Sequence, residues 1–243
     1  PEDKGYYLDK LTITAGQVAG IKEVHVKSPF MTALIRGDYS YKTVPMSVIR
    51  TVKRYIPSLL TLDDHSVNPR NNFEFDIQLS DADLFKKVFY IPIDVHIPLS
   101  LKGYFNDREE ELRVEGNFPK LTYNGTLYES GVLICENPLD EFSCLVRGSM
   151  LMSSGAMLNL SLDTKAKNDC LRTVLNWGNN TDVTYGGQVA AVTHFSKTES
   201  NSSSLQADIE LLPTTVVLND TIWNVHSSHV VLDSGRVYID NFT

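Results

Sequence analysis

The feature that most constrains this chain is a strict alternation of apolar and polar residues. Ala156, Leu158, Leu160 and Leu162 are interleaved with Asn159, Ser161 and Asp163. Leu171, Leu175 and Trp177 alternate with Arg172 and Asn176, and Tyr185, Val189, Ala191 and Phe195 hold one parity of the next run. Leu205, Ala207, Ile209 and Leu211 repeat the scheme against Gln206, Asp208 and Glu210. Successive side chains of a strand point to opposite faces, so period two demands one dry face and one wet face. Parallel strands covered on both sides would read as continuous apolar runs instead. The pattern therefore predicts an all-β, mainly antiparallel fold.

Turn signals divide the runs at short intervals: Asn106-Asp107, Asn124-Gly125, Asn137-Pro138, Ser153-Ser154-Gly155, Asn179-Asn180 and Gly186-Gly187. Asn124-Gly125 is the strongest hairpin signal, because a tight type I′ turn needs two positive φ values. The polar stretch from Thr198 to Ser204 reads as a loop. Arg36-Gly37-Asp38-Tyr39, Lys102-Gly103-Tyr104, Glu115-Gly116-Asn117-Phe118 and Arg147-Gly148-Ser149-Met150 look like a degenerate strand-and-turn unit. Glycine recurring inside strands marks bends or bulges that curl a sheet.

Two segments break the period. Pro45 followed by Val48, Ile49, Val52, Tyr55 and Ile56 has helical spacing, with Pro suited to the first turn. This predicts a helical insertion over about 45–60. A second, over about 80–90, starts at Ser80 as cap, with Asp83 ahead of Leu84, Phe85 and Val88. Pro92 and Pro98 confine the stretch between them to an edge strand or loop. The basic residues Arg50, Lys53 and Arg54 of the first helix fit packing over an open end or edge of the sheet, or contact with a membrane surface. No low-complexity linker divides the 243 residues, so positions 1–243 read as one β-rich segment.

Composition narrows the function. With 22 basic against 30 acidic residues, a net charge of −8, the chain is a poor ligand for duplex nucleic acid, which rewards release of counterions to a basic surface. No apolar run approaches the roughly 18–20 residues of a membrane-spanning helix. The chain opens on Pro1-Glu2-Asp3-Lys4, without Met or signal-peptide character, and reads as a piece of something longer. Cys135 and Cys144 bracket a turn and could bridge across a hairpin; two small buried thiols are the simpler reading, with Cys170 a third. No metal or cofactor motif is present. His226 and His229 read as surface residues at a turn, Asp81 and Asp83 as a helix start, and Asp107 to Glu111 as a solvated turn. No nucleophile elbow, phosphate loop, dinucleotide fingerprint or zinc-protease motif occurs, so no catalytic residue is assigned and the chain is read as not an enzyme.

A continuous apolar face must be covered or must close on itself, because large exposed apolar patches are rare without a purpose. Two short helices are a small lid for so many strands. One solution is a sheet curled around a groove for apolar guests. A closed β-sandwich serving as a carbohydrate-binding or adhesive module is the alternative. A transmembrane barrel and a hydrolase with carboxylates scattered in sequence are further rivals.

Several phrases favour the groove. Gly37-Asp-Tyr-Ser-Tyr-Lys-Thr43 leads into Tyr55-Ile-Pro-Ser-Leu59, and Leu101-Lys-Gly-Tyr-Phe-Asn-Asp107 precedes Glu115-Gly-Asn-Phe-Pro119. Glu129-Ser-Gly131, Cys135-Glu-Asn-Pro138 and Leu175-Asn-Trp-Gly-Asn-Asn180 follow, then Val217-Leu-Asn-Asp-Thr-Ile-Trp223 and Val231-Leu-Asp-Ser-Gly-Arg-Val-Tyr-Ile239. Their order resembles an internal stretch of the TamB-like (translocation and assembly module) proteins of diderm bacteria, within the AsmA-like group. The resemblance implies a taco-shaped β-sheet with a greasy channel, in a protein anchored in the inner membrane and crossing the periplasm. It also implies a part in outer-membrane protein assembly or in moving phospholipid between the membranes. The partners it implies are phospholipid acyl chains or unfolded outer-membrane protein strands, and an outer-membrane assembly partner met through other parts of the chain. The family has no catalytic residues or cofactors to carry over. Its N-terminal anchor and C-terminal domain are not matched here, and the two helices are additions to a plain taco. The groove candidates are Leu158, Leu160, Leu162, Leu171, Leu175, Trp177, Val189 and Ala191.

Overall fold

A computed structural model describes residues 10–59, 70–179, 185–198, 201–233 and 236–240. The opening Pro1-to-Lys4 stretch and Asn180 of the expected Asn179-Asn180 turn lie outside the described residues. Among the described residues, seventeen strands form one sheet. They are β1 (Thr12–Val18), β2 (Ile21–Lys27), β3 (Met31–Asp38), β4 (Asn72–Leu79), β5 (Ile93–Ile97) and β6 (Leu99–Asn106). Then follow β7 (Glu111–Tyr123), β8 (Thr126–Glu136), β9 (Phe142–Leu151), β10 (Met157–Lys167), β11 (Cys170–Gly178) and β12 (Gly186–Thr198). The last are β13 (Asn201–Leu211), β14 (Thr214–Leu218), β15 (Thr221–Val225), β16 (Ser228–Asp233) and β17 (Arg236–Asp240).

Every pairing is antiparallel, as the alternation requires. The sheet runs β1, β2, β3, β4, β6, β7, β8, β9, β10, β11, β12, β13, β16, β17. The β14–β15 hairpin adds to the start of β12. Strand β5 pairs, among the described residues, only with the far end of β7, the edge position that Pro92 and Pro98 prescribe. Among the described residues β1 pairs only with β2 and β17 only with β16, so the sheet is open and curled. Both the closed sandwich and the closed barrel are thereby corrected: one layer is formed and its ends do not meet.

Turn chemistry sets much of the register. Asn124 and Gly125 adopt φ of 48° and 80° at the β7–β8 hairpin, as the Asn-Gly signal predicts. Two readings change. Gly186-Gly187 is no turn but the first residues of β12, and the expected 198–204 loop is mostly strand, with only 199–200 outside the described residues. The curl is made at glycines. A Cβ on Gly103 would lie 2.1 Å from the Arg113 carbonyl oxygen and 2.8 Å from the Phe75 ring. One on Gly187 would lie 2.6 Å from the Trp177 ring. At these points aromatic rings fold over a bare backbone, an approach no other residue permits.

Helix α1 (Val44–Lys53), with Pro45 in its first turn, lies along one rim of the sheet. Its buried face is Ser47, Thr51 and, just beyond the helix, Tyr55, flanked by half-buried Val44 and Val48. The expected stripe is corrected at Ile49, which is exposed. Val44 and Val48 pack on a cluster of Tyr39, Phe73, Phe105 and Leu112. Helix α2 (Asp83–Phe89) is shorter than expected and is not capped by Ser80; the Asp81 carboxylate instead accepts a hydrogen bond from the Asp83 N–H at 2.6 Å. Cys135 and Cys144 stand directly opposite on β8 and β9 and are joined as a disulfide, which corrects the reading of two free thiols. Cys170 is free.

Candidate binding trough

The register aligns one apolar face from strand to strand. A single transverse row reads Ile13, Val26, Ala33, Ile77, Leu101, Gly116, Leu133, Val146, Leu162, Leu175, Val189. No polar side chain interrupts it from β1 to β12. The neighbouring row on the opposite face is mixed: His25, Asp76, Lys102, Glu115 and Asp163 share it with Leu34, Ile134, Leu145 and Val174. The two rows still cannot exchange places without cost, since a slip of one residue would turn these charges onto the apolar face.

The eight groove candidates all lie on this apolar face. Leu160 faces Trp177, Leu162 faces Leu175, and Leu175 faces Val189 across the β10–β11–β12 ladder. Leu158 lies opposite Met150 on β9, Leu171 opposite Ala166, and Ala191 opposite Thr173. All are half-buried except Leu175, which is 38% exposed. Three of them, Leu160, Leu162 and Leu175, line a concavity of about 390 Å³, within the range of small-molecule sites. Its other walls are chiefly Phe118, Leu121, Tyr123, Tyr128 and Val146, with Glu129 and Arg147 at the margin. Leu158, Leu171, Val189 and Ala191 belong to the same face but not to this hollow, and Trp177 sits beside it with Leu160.

Two adjacent positions in the wall of the hollow are glycines, and a Cβ on Gly131 would already meet Phe118 at 2.9 Å. Gly131 of β8 faces Phe118, and Gly148 of β9 faces Leu160. Where β8 meets β9 the register shifts between Glu129 and Val132, with Ser130 at φ 55°. Two residues, Ser130 and Gly131, there oppose one, and the bulge re-aims Tyr128 into the hollow beside Leu121. The walls were missed in the sequence because Leu121, Tyr123 and Tyr128 share a face with Leu160 only after this shift.

The far part of the face is roofed. After α1 the chain crosses the strand turns of one rim in order. Asn71, 1% exposed, donates through Nδ2 to Ser47 Oγ at 2.9 Å and Thr43 Oγ1 at 3.1 Å, and its N–H donates to Asp107 Oδ2 at 2.8 Å. Asp107 is therefore part of a partly buried anchor rather than of a solvated turn. Arg54 pairs with Glu110 and Asp140, the Tyr55 ring lies 6.0 Å from Phe142, and Asn137 donates to the Tyr55 hydroxyl at 2.8 Å. At the β10–β11 turn, Asp169 accepts from the Ser58 N–H at 2.7 Å and the Ser58 hydroxyl at 3.0 Å. The basic face of the helix thus serves this fastening through Arg54.

A second concavity, about 510 Å³, lies over the charged face, between Arg36, Glu74, Asp76, Lys102, Tyr104, Arg113 and Glu115. Its cations pair across neighbouring strands, Lys102 with Glu115 at 3.0 Å and Arg113 with Glu136, and Arg113 also pairs with Glu115 on its own strand. Hydrogen bonds from Lys102, then Arg113, hold the Glu115 carboxyl below its ordinary range. Such exposed pairs contribute little to stability and mark a solvated surface. Among the described residues no group of three or more His, Cys, Asp or Glu is placed to hold a metal ion. His229 instead pairs with Asp208 at 2.6 Å.

No protein-family model matches the chain, and neither a curated protein nor a solved structure matches it.

Proposed function

We propose that this chain is a non-catalytic, TamB-like trough segment of the periplasm, working in outer-membrane protein assembly or in phospholipid movement between the membranes. Its apolar face would shelter acyl chains or unfolded client strands. The observation that supports this reading is the unbroken apolar row from β1 to β12, left half-exposed around the Gly131–Gly148 hollow. An interior this incomplete costs free energy, at about 25 cal/mol per Å² of apolar surface left in water. A guest that removes that area recovers it without directional contacts, so varied tails bind and slide. The ordered phrases shared with the TamB-like group supply the rest of the reading.

The test replaces Leu160 and Leu162 by Asp and measures uptake of a fluorescent phospholipid by the folded protein. Two carboxylates in the hollow should reduce uptake at least about tenfold, the effect of roughly 1.4 kcal/mol. Unchanged uptake in a variant with wild-type circular dichroism overturns the lipid reading.

A further inference from the structure

We propose that the concavity between β3, β4, β6 and β7, on the face opposite the trough, is a binding site for a short neutral oligosaccharide. Being on the other side of the sheet, it stands or falls separately from what the trough binds. Two transverse rows form its floor. One is Arg36, Glu74, Tyr104 and Arg113, and the next is Leu34, Asp76, Lys102 and Glu115. The backbone bends at Gly37 of β3 and Gly103 of β6, on either side of β4. A Cβ would lie 2.2 Å from the Asn72 carbonyl oxygen at the first and 2.1 Å from that of Arg113 at the second. The space over this floor is about 510 Å³. Four strands set about 4.8 Å apart make it roughly 14 Å wide, which suits a short chain of sugar rings better than a single one.

The charges select the ligand. Arg36, Lys102 and Arg113 are balanced by Glu74, Asp76 and Glu115, so the site has no net charge with which to choose a phosphate or an amine. The cations are held from one side: Arg36 by Glu23 at 3.3 Å, Lys102 by Glu115 at 3.0 Å, and Arg113 by Glu115 and Glu136. Their side chains remain 48%, 64% and 42% exposed, which leaves further N–H donors for a ligand. Glu74 and Asp76 face Arg36 and Lys102 across the strands, yet those cations pair elsewhere. Among the described residues neither carboxylate has an ion-pair partner, and both keep free acceptor oxygens. Such exposed pairs add little to stability; what they fix is direction, with donors and acceptors interleaved over one floor. A sugar hydroxyl both donates and accepts, and so matches that pattern where an ion matches half of it. Tyr104 stands among them, 38% exposed, and offers its ring to the apolar C–H face of a sugar. An extended peptide would seek unpaired backbone, which β4 and β6 lack because each is paired on both sides.

The experiment screens the whole chain on an array of short neutral, anionic and cationic oligosaccharides, and titrates the neutral binders by calorimetry. Neutral ligands are expected to bind, with affinity nearly constant between about 0.05 and 0.5 M salt. Tyr104→Ala should weaken binding about tenfold or more, while Tyr104→Phe, which keeps the ring, should retain it. Glu74→Ala combined with Asp76→Ala removes the free acceptors and should weaken it by a similar factor. Tyr90→Ala, at an exposed ring beyond α2 and outside the concavity, should change nothing. Urea midpoints of these variants should stay near that of the natural protein, because the exchanged side chains are exposed. An array without a neutral binder, a preference for charged ligands that salt abolishes, or undiminished binding by Tyr104→Ala overturns the proposal.

Discussion

The rim beneath α1 and the hollow around Gly131 and Gly148 lie on one face of one sheet, written in the same alternating code. They end in different states. Under the helix Phe105 is 1% exposed and packs with Tyr39, Phe73 and Leu112. Around the hollow Val146 is 43% exposed and Leu175 38%. The difference is one of cover: the chain folds back over the first region, and among the described residues none covers the second. Ordinary core formation explains the rim; the hollow is apolar surface that the fold itself does not finish.

Breaking that comparison should begin with paired truncations. Phe105→Ala leaves a cavity in a filled region and should cost about 3–5 kcal/mol. Leu160→Ala, half in water already, should cost only about 1 kcal/mol. Urea unfolding of the two variants measures the contrast, and equal losses would mean that the hollow is as filled as the rim.

A smaller effect is expected at the fastening. Asn71→Ala removes the donor to Ser47 and Thr43 and strips a buried network of its centre. Leaving such groups unpaired costs about 1–3 kcal/mol, with earlier proteolysis within the α1 segment as the local readout. Packing at the hollow should be unchanged.

The smallest effect is alkaline. Burial, aided by the neighbouring Tyr41 hydroxyl, holds the Tyr39 phenol well above its ordinary range. The unfolded chain ionises it near pH 10, while the folded protein keeps it neutral. Its contribution is therefore whole below about pH 10 and is lost as pH rises beyond that. Tyr39→Phe should flatten the fall in urea midpoint above about pH 10 relative to the natural protein. An identical slope in both would remove Tyr39 as its source.

Much of this molecule was legible in its residues for a simple reason: the relevant signals are local. Parity, the Asn124-Gly125 hairpin, the Pro45 helix start and the edge position of 93–97 each depend on a few neighbours. The buried face of α1 was not legible, because Ser47 is a small polar residue whose partners lie 24 and 60 positions away, and Thr51 is buried beside it, donating to the Ser47 carbonyl. Asn71 was silent for the same reason. The helix onset shifted from Ser80 to Asp83 because Asp81 competes successfully for the free N–H.

By itself, the order of residues determined that there would be a dry face, a wet face and short turns between strands, since a strand side chain answers only to its own parity. Tertiary structure alone decided which part of the dry face is roofed, that Gly131 and Gly148 come side by side, and that the bulge at Ser130 turns Tyr128 toward them. Those facts depend on register and curvature summed over many strands. No window of sequence contains them, because the hydrogen bonds that fix them join positions far apart in the chain.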